Sequence, residues 1–537
     1  MKKYKFLLSI LVTLIGIGFN SCGDDFLTVH STGSVLAGSS LNEKSVNENI
    51  ASVYHILLRD NYAGGYNGAL FLSDMRADDV YKGGESAGDQ GQLYNLATYT
   101  CTPSTNVGGV WDLNYRGITR ANEAIANIDA LLGQSDFKGN RDLVERLKQE
   151  ALFLRAYYLH ILWRNWGNVP YSPVVLTEPY LAPQYTADEI YGIIMENIAA
   201  CESIGKLGLK SPEIGRVNLA AVYMLKATCV MYQKDNSKYN EVAANMAQII
   251  NSPDYGLMDD FDKMWEESGE WCKENIFETN QGSEGTAWGT SASNPYGYGT
   301  NLPCFISPSG LVDPSGIFKG GWGFSPVRPY LWALVGTGAQ NGKEPIFEAG
   351  DVRREASINN WVGGTYGDRY QDTGYYLRKY AARNGYNPFG TVDLNYINNL
   401  RIYRYAETLL NYAELVGVLG ASASGGVTAQ SCMDQVRTRA KVGSIPVNQA
   451  NIELERHREF IGEGRRYWDL IRWGKAATTL TESVTETTPG GGNRPPTTWQ
   501  WSRTWTDRDK YLPIPFGEIN ATAGTAMPIE QNPGYNN

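Results

Sequence analysis

Residues 451–474, NIELERHREFIGEGRRYWDLIRWG, alternate charged side chains with large aromatic and aliphatic ones. This pattern predicts a helix, in which residues three and four positions apart lie on one face. The ion pairs expected from the spacing are Glu463 with Arg466, Arg465 with Asp469, and Asp469 with Arg472. Because the apolar residues leave no clean polar face, we expect an enclosed helix whose guanidinium groups are held by carboxylates. We interpret the charges as a buried structural network, with an acid/base or anion site as the alternative.

Helical periodicity continues on the N-terminal side of this stretch. The predicted helices are residues 42–59, 111–132, 141–165, 186–204, 215–233, 238–251, 400–419 and 428–440. Within 141–165, apolar residues recur every three or four positions, as on one face of a helix. The early helices form antiparallel hairpins about 35 residues apart, a tetratricopeptide-like spacing with a faint consensus. The predicted fold class is mainly α, with a scaffold of tetratricopeptide-like helical hairpins.

Residues 253–399 have a different character, because Gly, Pro, Ser, Asn and aromatic residues dominate and helical periodicity is lost. Irregular regions of this length in a compact chain usually carry function. Residues 60–110 are also predicted to be ordered loop. Since helices return after residue 400, we expect a single domain over 22–537. Its scaffold would comprise 42–252 and 400–480, and 253–399 would be a loop-rich ligand-binding insertion.

The N-terminus has the features of a secretory leader. Met1 and three nearby lysines form a positive start, Phe6 to Phe19 is apolar, and Asn20-Ser21-Cys22 ends the leader. The apolar run is too short to span a bilayer comfortably. A cysteine at this place resembles the acylated cysteine of bacterial lipoproteins, so residues 1–21 are predicted to be the signal peptide and Cys22 the lipid attachment site. The alternative is an ordinary leader with an incidental cysteine.

Charge and motifs exclude several function classes. The formal net charge is −10, and loss of the lysine-containing leader would make the mature chain more acidic, which argues against nucleic-acid binding. We find no P-loop, HExxH, CxxC or EF-hand pattern, and no catalytic residue, metal or cofactor is predicted. The acidic pairs, such as Asp78-Asp79, are interpreted as surface groups. Among the cysteines, Cys272 and Cys304 could bridge in an oxidising compartment, and a reduced pair is the alternative.

Aromatic residues give the best indication of a binding site. Rings in a Gly-rich, helix-free stretch can be held rigid and exposed, and the axial C–H face of a sugar packs on an aromatic plane. From their composition and location we predict ring platforms and hydrogen-bonding partners for a ligand. The platforms are Trp288, Tyr296, Tyr298 and Trp322, and the hydrogen-bonding residues are Arg76 and Asn106. The alternative is that the rings form a small core beneath the loops.

Three ordered motifs resemble the SusD/RagB family of outer-membrane nutrient-binding lipoproteins. They are ERHREFIGEGRRYWDLIRWGKA at 455–476, YLPIPFGEIN at 511–520 with QNPGY at 531–535, and LRAYY at 154–158 running on to GNVP at 167–170. The resemblance implies a helical scaffold beside an irregular ligand-binding half. It also implies a lipid-anchored, surface-exposed outer-membrane protein that captures oligosaccharides and delivers them to a TonB-dependent, SusC-like transporter. Two alternatives are a peptide-capturing member of the same family and a secreted α-helical glycoside hydrolase, which needs two carboxylates at a defined separation.

Overall fold

The computed structural model describes residues 41–58, 68–105, 107–282, 299–387, 395–488 and 495–536. Its longer N-terminal helices are α1 (Glu43–Leu58), α2 (Ala69–Arg76), α3 (Gly91–Thr98), α4 (Gly108–Leu132), α5 (Arg141–Trp166), α6 (Ala187–Ile204), α7 (Leu219–Gln233) and α8 (Tyr239–Ile250). The later helices are α9 (Leu302–Ile306), α10 (Arg353–Ser357), α11 (Tyr405–Gly417), α12 (Ala429–Arg439), α13 (Gln449–Phe460), α14 (Arg466–Arg472), α15 (Ala476–Leu480) and α16 (Phe516–Thr522). Residues 41–537 form one compact unit, and the mainly α fold class is confirmed.

Helix α5 is the centre of the scaffold. The Asn140 side chain caps its first turn by accepting a hydrogen bond from the Leu143 backbone N–H. From Tyr158 to Trp166 every residue is buried, so this part of the helix is enclosed on all sides. Helices α4 and α6 pack along it as antiparallel neighbours, and α1 and α7 add further contacts. The following helix α6 begins at a complete capping box formed by Thr186 and Glu189.

The stretch that opened the sequence analysis forms two helices, so the prediction of one continuous helix is wrong. Helix α13 ends at Phe460 and α14 begins at Arg466, and the turn between them contains Gly462 and Gly464 at φ values of +74° and +69°. Only glycine adopts this backbone conformation without a steric cost, and the helix is therefore interrupted here.

The turn redirects most of the expected ion pairs. Asp469 contacts Arg472 at 2.8 Å as predicted, but Glu463 pairs with Arg404 and Lys379 instead of Arg466. The remaining observed pairs are Arg466 with Asp78 and Arg465 with Glu407. The expectation of enclosure is confirmed, because Glu459 is 0% exposed and Glu463 only 3%.

The strands are short and form four two-stranded antiparallel sheets. The pairs are β1 (Val169–Pro170) with β2 (Gln184–Tyr185), β3 (Asn275–Glu278) with β6 (Arg401–Arg404), β4 (Ile358–Asn360) with β5 (Tyr375–Leu377), and β7 (Glu482–Thr488) with β8 (Thr497–Arg503). The β3–β6 pair joins the two ends of the loop-rich region 253–399. Within 60–110, predicted as loop, the structure contains helices α2 and α3. Among the described residues, no helix combines the length and apolar character needed to cross a membrane.

The C-terminal residues complete the packing of the N-terminal helices. The Asn532 side-chain amide donates to the backbone carbonyls of Trp166 at 2.6 Å and Leu512 at 2.9 Å. The Trp166 indole N–H donates to the Pro513 carbonyl at 3.1 Å. These groups are buried, so each would carry a desolvation cost if its partner were removed. The final motif QNPGY therefore closes the end of α5.

Candidate functional site

Two flanks of the loop-rich region meet beside Trp322. Thr300 and Tyr396 form an antiparallel bridge, and the Gly299 backbone N–H donates to the Asn395 side-chain oxygen at 3.0 Å. These contacts bring the segment that follows residue 298 next to the segment that follows residue 394. The candidate surface is defined here as Trp322 and Tyr386, together with these flanks.

The backbone around Trp322 is placed by the close approach of two glycines to α9 and to the segment that follows it. A Cβ on Gly321 would lie 2.1 Å from the Cys304 carbonyl oxygen, which leaves no room for any other residue. A Cβ on Gly320 would lie 2.9 Å from the Leu311 backbone nitrogen. The Trp322 N–H then donates to the same Cys304 carbonyl at 2.7 Å. The sequence GGW thus fixes the position of the indole through backbone contacts.

The Trp322 ring is half-buried and packs on other rings on its inner side. Its centroid lies 4.9 Å from that of Phe305 in an edge-on arrangement. Phe305 also contacts Phe324 at 5.0 Å and Phe71 of α2 at 5.5 Å. This aromatic column connects the candidate surface to the scaffold. A ring supported in this way loses little conformational freedom when a ligand packs on its exposed part.

Tyr386 is the second half-buried ring of the candidate surface. Trp322 and Tyr386 pack against the same small cluster, which consists of Cys304, Ala382 and Tyr396. The Tyr386 hydroxyl accepts a hydrogen bond from the Glu267 backbone N–H at 2.9 Å, so its orientation is set from outside the cluster. Tyr386 was absent from the predicted platforms. Only its place in the Gly- and Asn-rich sequence RNGYN could have indicated it.

The predicted site residues have different outcomes. Trp322 is half-buried beside the loop flanks, a position that is compatible with the predicted platform. Five predicted residues lie outside the described part of the chain: Trp288, Tyr296, Tyr298, Asn106 and the proposed lipid attachment residue Cys22. Gly299 directly follows the segment of the sequence that contains the three insertion platforms, and Asn395 follows a separate segment, residues 388–394.

The predicted role of Arg76 as a hydrogen-bonding residue for a ligand is wrong. Arg76 is 1% exposed, and its guanidinium group is engaged by protein groups. It donates to the Tyr467 hydroxyl at 2.6 Å, to the Asp509 carbonyl at 2.7 Å and to the Asn165 side chain at 3.3 Å. It also lies 3.9 Å above the Tyr467 ring. Arg76 therefore joins α2, α5, α14 and the C-terminal segment.

The pair Asp78-Asp79, predicted to be on the surface, is buried beside His457. Ligand atoms of these three residues lie within 4.8 Å of one another, a spacing that can hold a metal ion. However, Asp78 contacts Arg466 at 2.8 Å and Lys343 at 3.0 Å. These cations lower the pKa of Asp78 well below its usual range although burial opposes them. Because two cationic groups already balance this carboxylate, we interpret the cluster as an ion-pair network.

None of the six described cysteines from Cys101 to Cys432 forms a disulfide bond. Cys272 and Cys304, for which the sequence left a bridge open, are thus not joined. Cys304 is instead part of the small cluster behind Trp322.

A second surface feature, the lateral cleft, encloses about 590 Å³ between α4, residues 171–182 and residues 518–529. The Asn122 amide holds one wall by donating to the carbonyls of Ser172 and Val174. Gln184 holds the C-terminal wall through two hydrogen bonds with the Glu530 backbone. Three exposed apolar residues line the cleft: Val174, Val175 and Tyr180, which is 68% exposed. Exposed Phe516 and Met527 lie in the C-terminal segment.

The lateral cleft is acidic. Burial raises the pKa of Asp112. Burial is also the larger cause that raises the pKa of Glu518, and the nearby charge of Asp112 adds to it. Arg116 is the cation of this wall. A partner group at this place would combine apolar contact with positive charge. The paired valines in the loop after α5 are the sequence signal that could have revealed the cleft.

Comparison with known proteins identifies the family to which the chain is related. The SusD family model matches residues 332–535, and a model described as starch-binding, associating with outer membrane, matches residues 26–203. SusD-like protein P38 of Formosa agariphila is 25% identical over 518 residues, which cover 89% of this chain and 93% of that protein.

Solved structures with the same fold cover nearly the whole chain. Surface glycan-binding protein A from Bacteroides fluxus is 46% identical, with a TM-score of 0.82, and the match covers 92% of this chain and 100% of that one. Surface glycan-binding protein A from Bacteroides thetaiotaomicron, in complex with laminarihexaose, is 34% identical with a TM-score of 0.77, covering 91% and 99%. These relatives are described as glycan-binding or SusD-like proteins and not as enzymes. The chain belongs to the SusD family.

Proposed function

We propose that the chain binds glucan oligosaccharides at the candidate surface around Trp322 and Tyr386. The observation that carries the proposal is the similarity to a glycan-binding protein in complex with laminarihexaose. That protein is 34% identical to this chain, and the match covers 99% of that protein. A second relative, 27% identical, is named a laminarin-binding SusD-like protein. The β-1,3-linked glucans are therefore the first ligand class to test.

The half-buried indole of Trp322 supports this function chemically. Its inner side rests on Phe305, and its exposed part offers a rigid apolar plane to a sugar ring. Trp288, Tyr296 and Tyr298 belong to the same proposal as further platforms, and Asn106 as a hydrogen-bonding residue. A row of such rings would follow an oligosaccharide along several units, with polar neighbours providing specificity.

The experiment is calorimetric titration of the soluble chain with laminarihexaose, and with maltohexaose as the α-1,4-linked comparison. Trp322→Ala should weaken laminarihexaose binding about tenfold, which corresponds to roughly 1.4 kcal/mol. Since the ring also packs on Phe305, we expect some loss of thermal stability in the same variant.

Trp332→Ala is the matched control. Trp332 is also half-buried and stacks on a ring, that of Tyr375 at 5.6 Å, but it lies outside the candidate surface. It should lose stability and keep wild-type affinity. Equal affinity of wild type and Trp322→Ala would contradict the proposed site. Release of reducing sugar from the oligosaccharide would instead favour the hydrolase alternative.

We further propose that acylated Cys22 anchors the protein at the outer-membrane surface. The matching family description, associating with outer membrane, supports this localisation. Cys22→Ala should yield a folded protein that fractionates away from membranes, because Cys22 precedes the first helix of the scaffold. A mature N-terminus without acyl chains in mass spectrometry would be incompatible with the anchor.

The proposed partner is a SusC-like TonB-dependent transporter, and the lateral cleft is the surface that we assign to it. Exposed apolar residues concentrated around one preformed cleft are characteristic of protein-binding sites, and the acidic wall fits a basic side chain of the partner. Tyr180→Lys should reduce co-purification with the transporter, whereas Ile214→Lys, an equally exposed apolar residue elsewhere, should not. Full recovery of the complex with Tyr180→Lys would remove the cleft from the interface.

A further inference from the structure

A small, partly open cavity lies where five helices of the scaffold meet, away from the residues that form the candidate surface. It encloses about 60 Å³ and is lined by side chains of α5, α7, α11, α13 and α14 and of strand β6. Its charged lining consists of Arg164, Arg456, Arg465 and Arg472 with two carboxylates, Glu407 and Asp469. Arginine thus exceeds carboxylate in a space that is too small for a sugar.

Three of these arginines are balanced by carboxylates. Arg456 and Arg472 contact Asp469 at 2.9 and 2.8 Å. Arg472 also contacts Glu414, which lies outside the cavity lining, at 2.5 Å. Arg465 contacts Glu407 at 3.0 Å. The cavity's carboxylates are therefore already occupied by cations.

Arg164 is the exception. It is 9% exposed, and among the residues that the structure describes, no carboxylate lies within ion-pair distance and its buried Nε has no hydrogen-bond partner. Its guanidinium group lies 4.7 Å from the Trp468 ring. A cation–π contact recovers only part of what a buried guanidinium loses on leaving water. The charge of Arg164 is thus largely uncompensated.

The residues around Arg164 add positive potential and further hydrogen-bond donors to the cavity. Burial and the neighbouring Arg465 both lower the pKa of Arg164. Burial, and to a smaller extent the charge of Arg164, holds the pKa of His160 well below its usual range. His160 is therefore neutral at pH 7 and adds no further cation. The hydroxyls of Tyr232 and Tyr403, and the Nε of Arg465, are buried without a hydrogen-bond partner in the described structure. All three residues line the same cavity.

We propose that this cavity binds a small inorganic anion of the size of chloride. The unpaired Nε–H group of Arg164, together with the two tyrosyl hydroxyls, supplies the donors that such an ion requires. A volume of about 60 Å³ admits an ion and a water molecule and excludes a nucleotide or an oligosaccharide. The bound anion neutralises Arg164 and links α5 and α7 to the strand that follows the loop-rich region.

The first test measures thermal unfolding of the soluble wild-type chain in sodium chloride and in sodium gluconate at equal ionic strength. Because an ion that binds only the folded state stabilises it by mass action, the midpoint should be higher in chloride. Above the Kd it should rise by about 1 °C for each tenfold increase in chloride, given the size of the chain. Identical midpoints in both salts at all concentrations would overturn the proposal.

The variant Arg164→Met tests the residue itself, and Arg116→Met, an exposed arginine of α4, is its control. Arg164→Met should lose the difference between chloride and gluconate, and in gluconate its midpoint should equal or exceed that of wild type, because an uncompensated charge has been removed. A purely structural role predicts a lower midpoint in both salts. Arg116→Met should retain the wild-type salt response. Wild-type chloride dependence in Arg164→Met would overturn the assignment.

Crystals of the wild-type protein grown in sodium bromide provide a test that does not depend on folding of the variant. Bromide resembles chloride and scatters anomalously. An anomalous peak within hydrogen-bond distance of Arg164 is expected. A cavity without such a peak, at bromide concentrations that reproduce the thermal shift, would overturn the proposal.

Discussion

Two parts of the loop-rich region 253–399 use opposite chemistry. Where the region meets the scaffold, two of its cations insert into a buried charged network formed with residues 451–474. Arg353 contacts Glu455 and Glu459, and Lys379 contacts Glu463. At the candidate surface, the half-buried rings of Trp322 and Tyr386 pack against one small cluster of uncharged side chains. The network holds the region in place, and the rings form the surface that we propose for the ligand. The ion pairs thus anchor the described part of a region whose own helices and strands are short.

The network works through shared partners. Glu459 contacts Arg439 at 2.6 Å and Arg404 and Arg353 at 3.2 Å. Arg404 belongs to β6, Arg439 to α12 and Arg353 to the loop-rich region, so one carboxylate connects three segments. Each of these arginines also contacts another carboxylate. Removal of one member therefore leaves several buried charges incompletely paired, whereas loss of a surface ring leaves none.

The largest expected effect is that of Glu459→Gln. Three buried arginines would lose a charged partner, and the free energy of unfolding should fall by about 3–5 kcal/mol. Denaturant unfolding provides the measurement. Glu48→Gln is the control, because its pair with Lys44 is 3.8 Å long and exposed, and such pairs contribute no more than about 1 kcal/mol. A Glu459→Gln midpoint equal to that of the control would refute the network's structural role.

Acid should act mainly on the network. Although burial opposes it, Arg439, Arg404 and Arg353 lower the pKa of Glu459 to about 2, below its value in the unfolded chain. The associated stability is fully present above pH 4.5 and decreases as the pH falls towards 2, by about 3 kcal/mol for this group. Denaturant unfolding at pH 7, 4 and 3 should show a steep decline that Glu459→Gln lessens. An unchanged slope in the variant would argue against this carboxylate as the source.

An intermediate effect is expected at Gly321, behind the candidate surface. Its Cβ would meet the Cys304 carbonyl at 2.1 Å, so Gly321→Ala must displace the backbone that carries Trp322. We expect about 1–3 kcal/mol of destabilisation together with weaker laminarihexaose binding. Gly192→Ala in α6 is the matched control, since no atom lies within 4 Å of its added Cβ. Wild-type affinity of Gly321→Ala would show that the Trp322 position is not critical.

The smallest effect is expected for Tyr386→Phe. The substitution removes the hydroxyl that accepts from the Glu267 N–H and retains the ring. We predict a loss of about 0.5–1.5 kcal/mol in stability and little change in affinity. Tyr386→Ala should weaken binding, because it removes the ring itself. Equal affinities of these two variants in calorimetry would exclude Tyr386 from the ligand surface.

Sequence reasoning succeeded where local patterns determine structure. The α5 helix follows from its apolar spacing, and the enclosure of the 451–474 stretch follows from its alternating composition. It failed where distant segments decide the outcome. Nothing near Arg76 indicates that Tyr467 and Asp509 surround it, and the true partners of Glu463 lie 59 and 84 positions away. The break at Gly462 and Gly464 was readable from the sequence, since two glycines within three residues disfavour a helix.

Closure of α5 by the C-terminal motif has a consequence for the timing of folding. Asn532 lies 366 residues after Trp166, and the Asp509 carbonyl lies 433 residues after Arg76. At a translation rate of 5–20 residues per second, roughly 20–70 seconds separate the synthesis of Trp166 from that of Asn532. Contacts between such distant positions also slow folding, because the chain loses the entropy of loop closure before the contact can stabilise it. The packing at the end of α5 is therefore completed only when the last residues are available to the early helices.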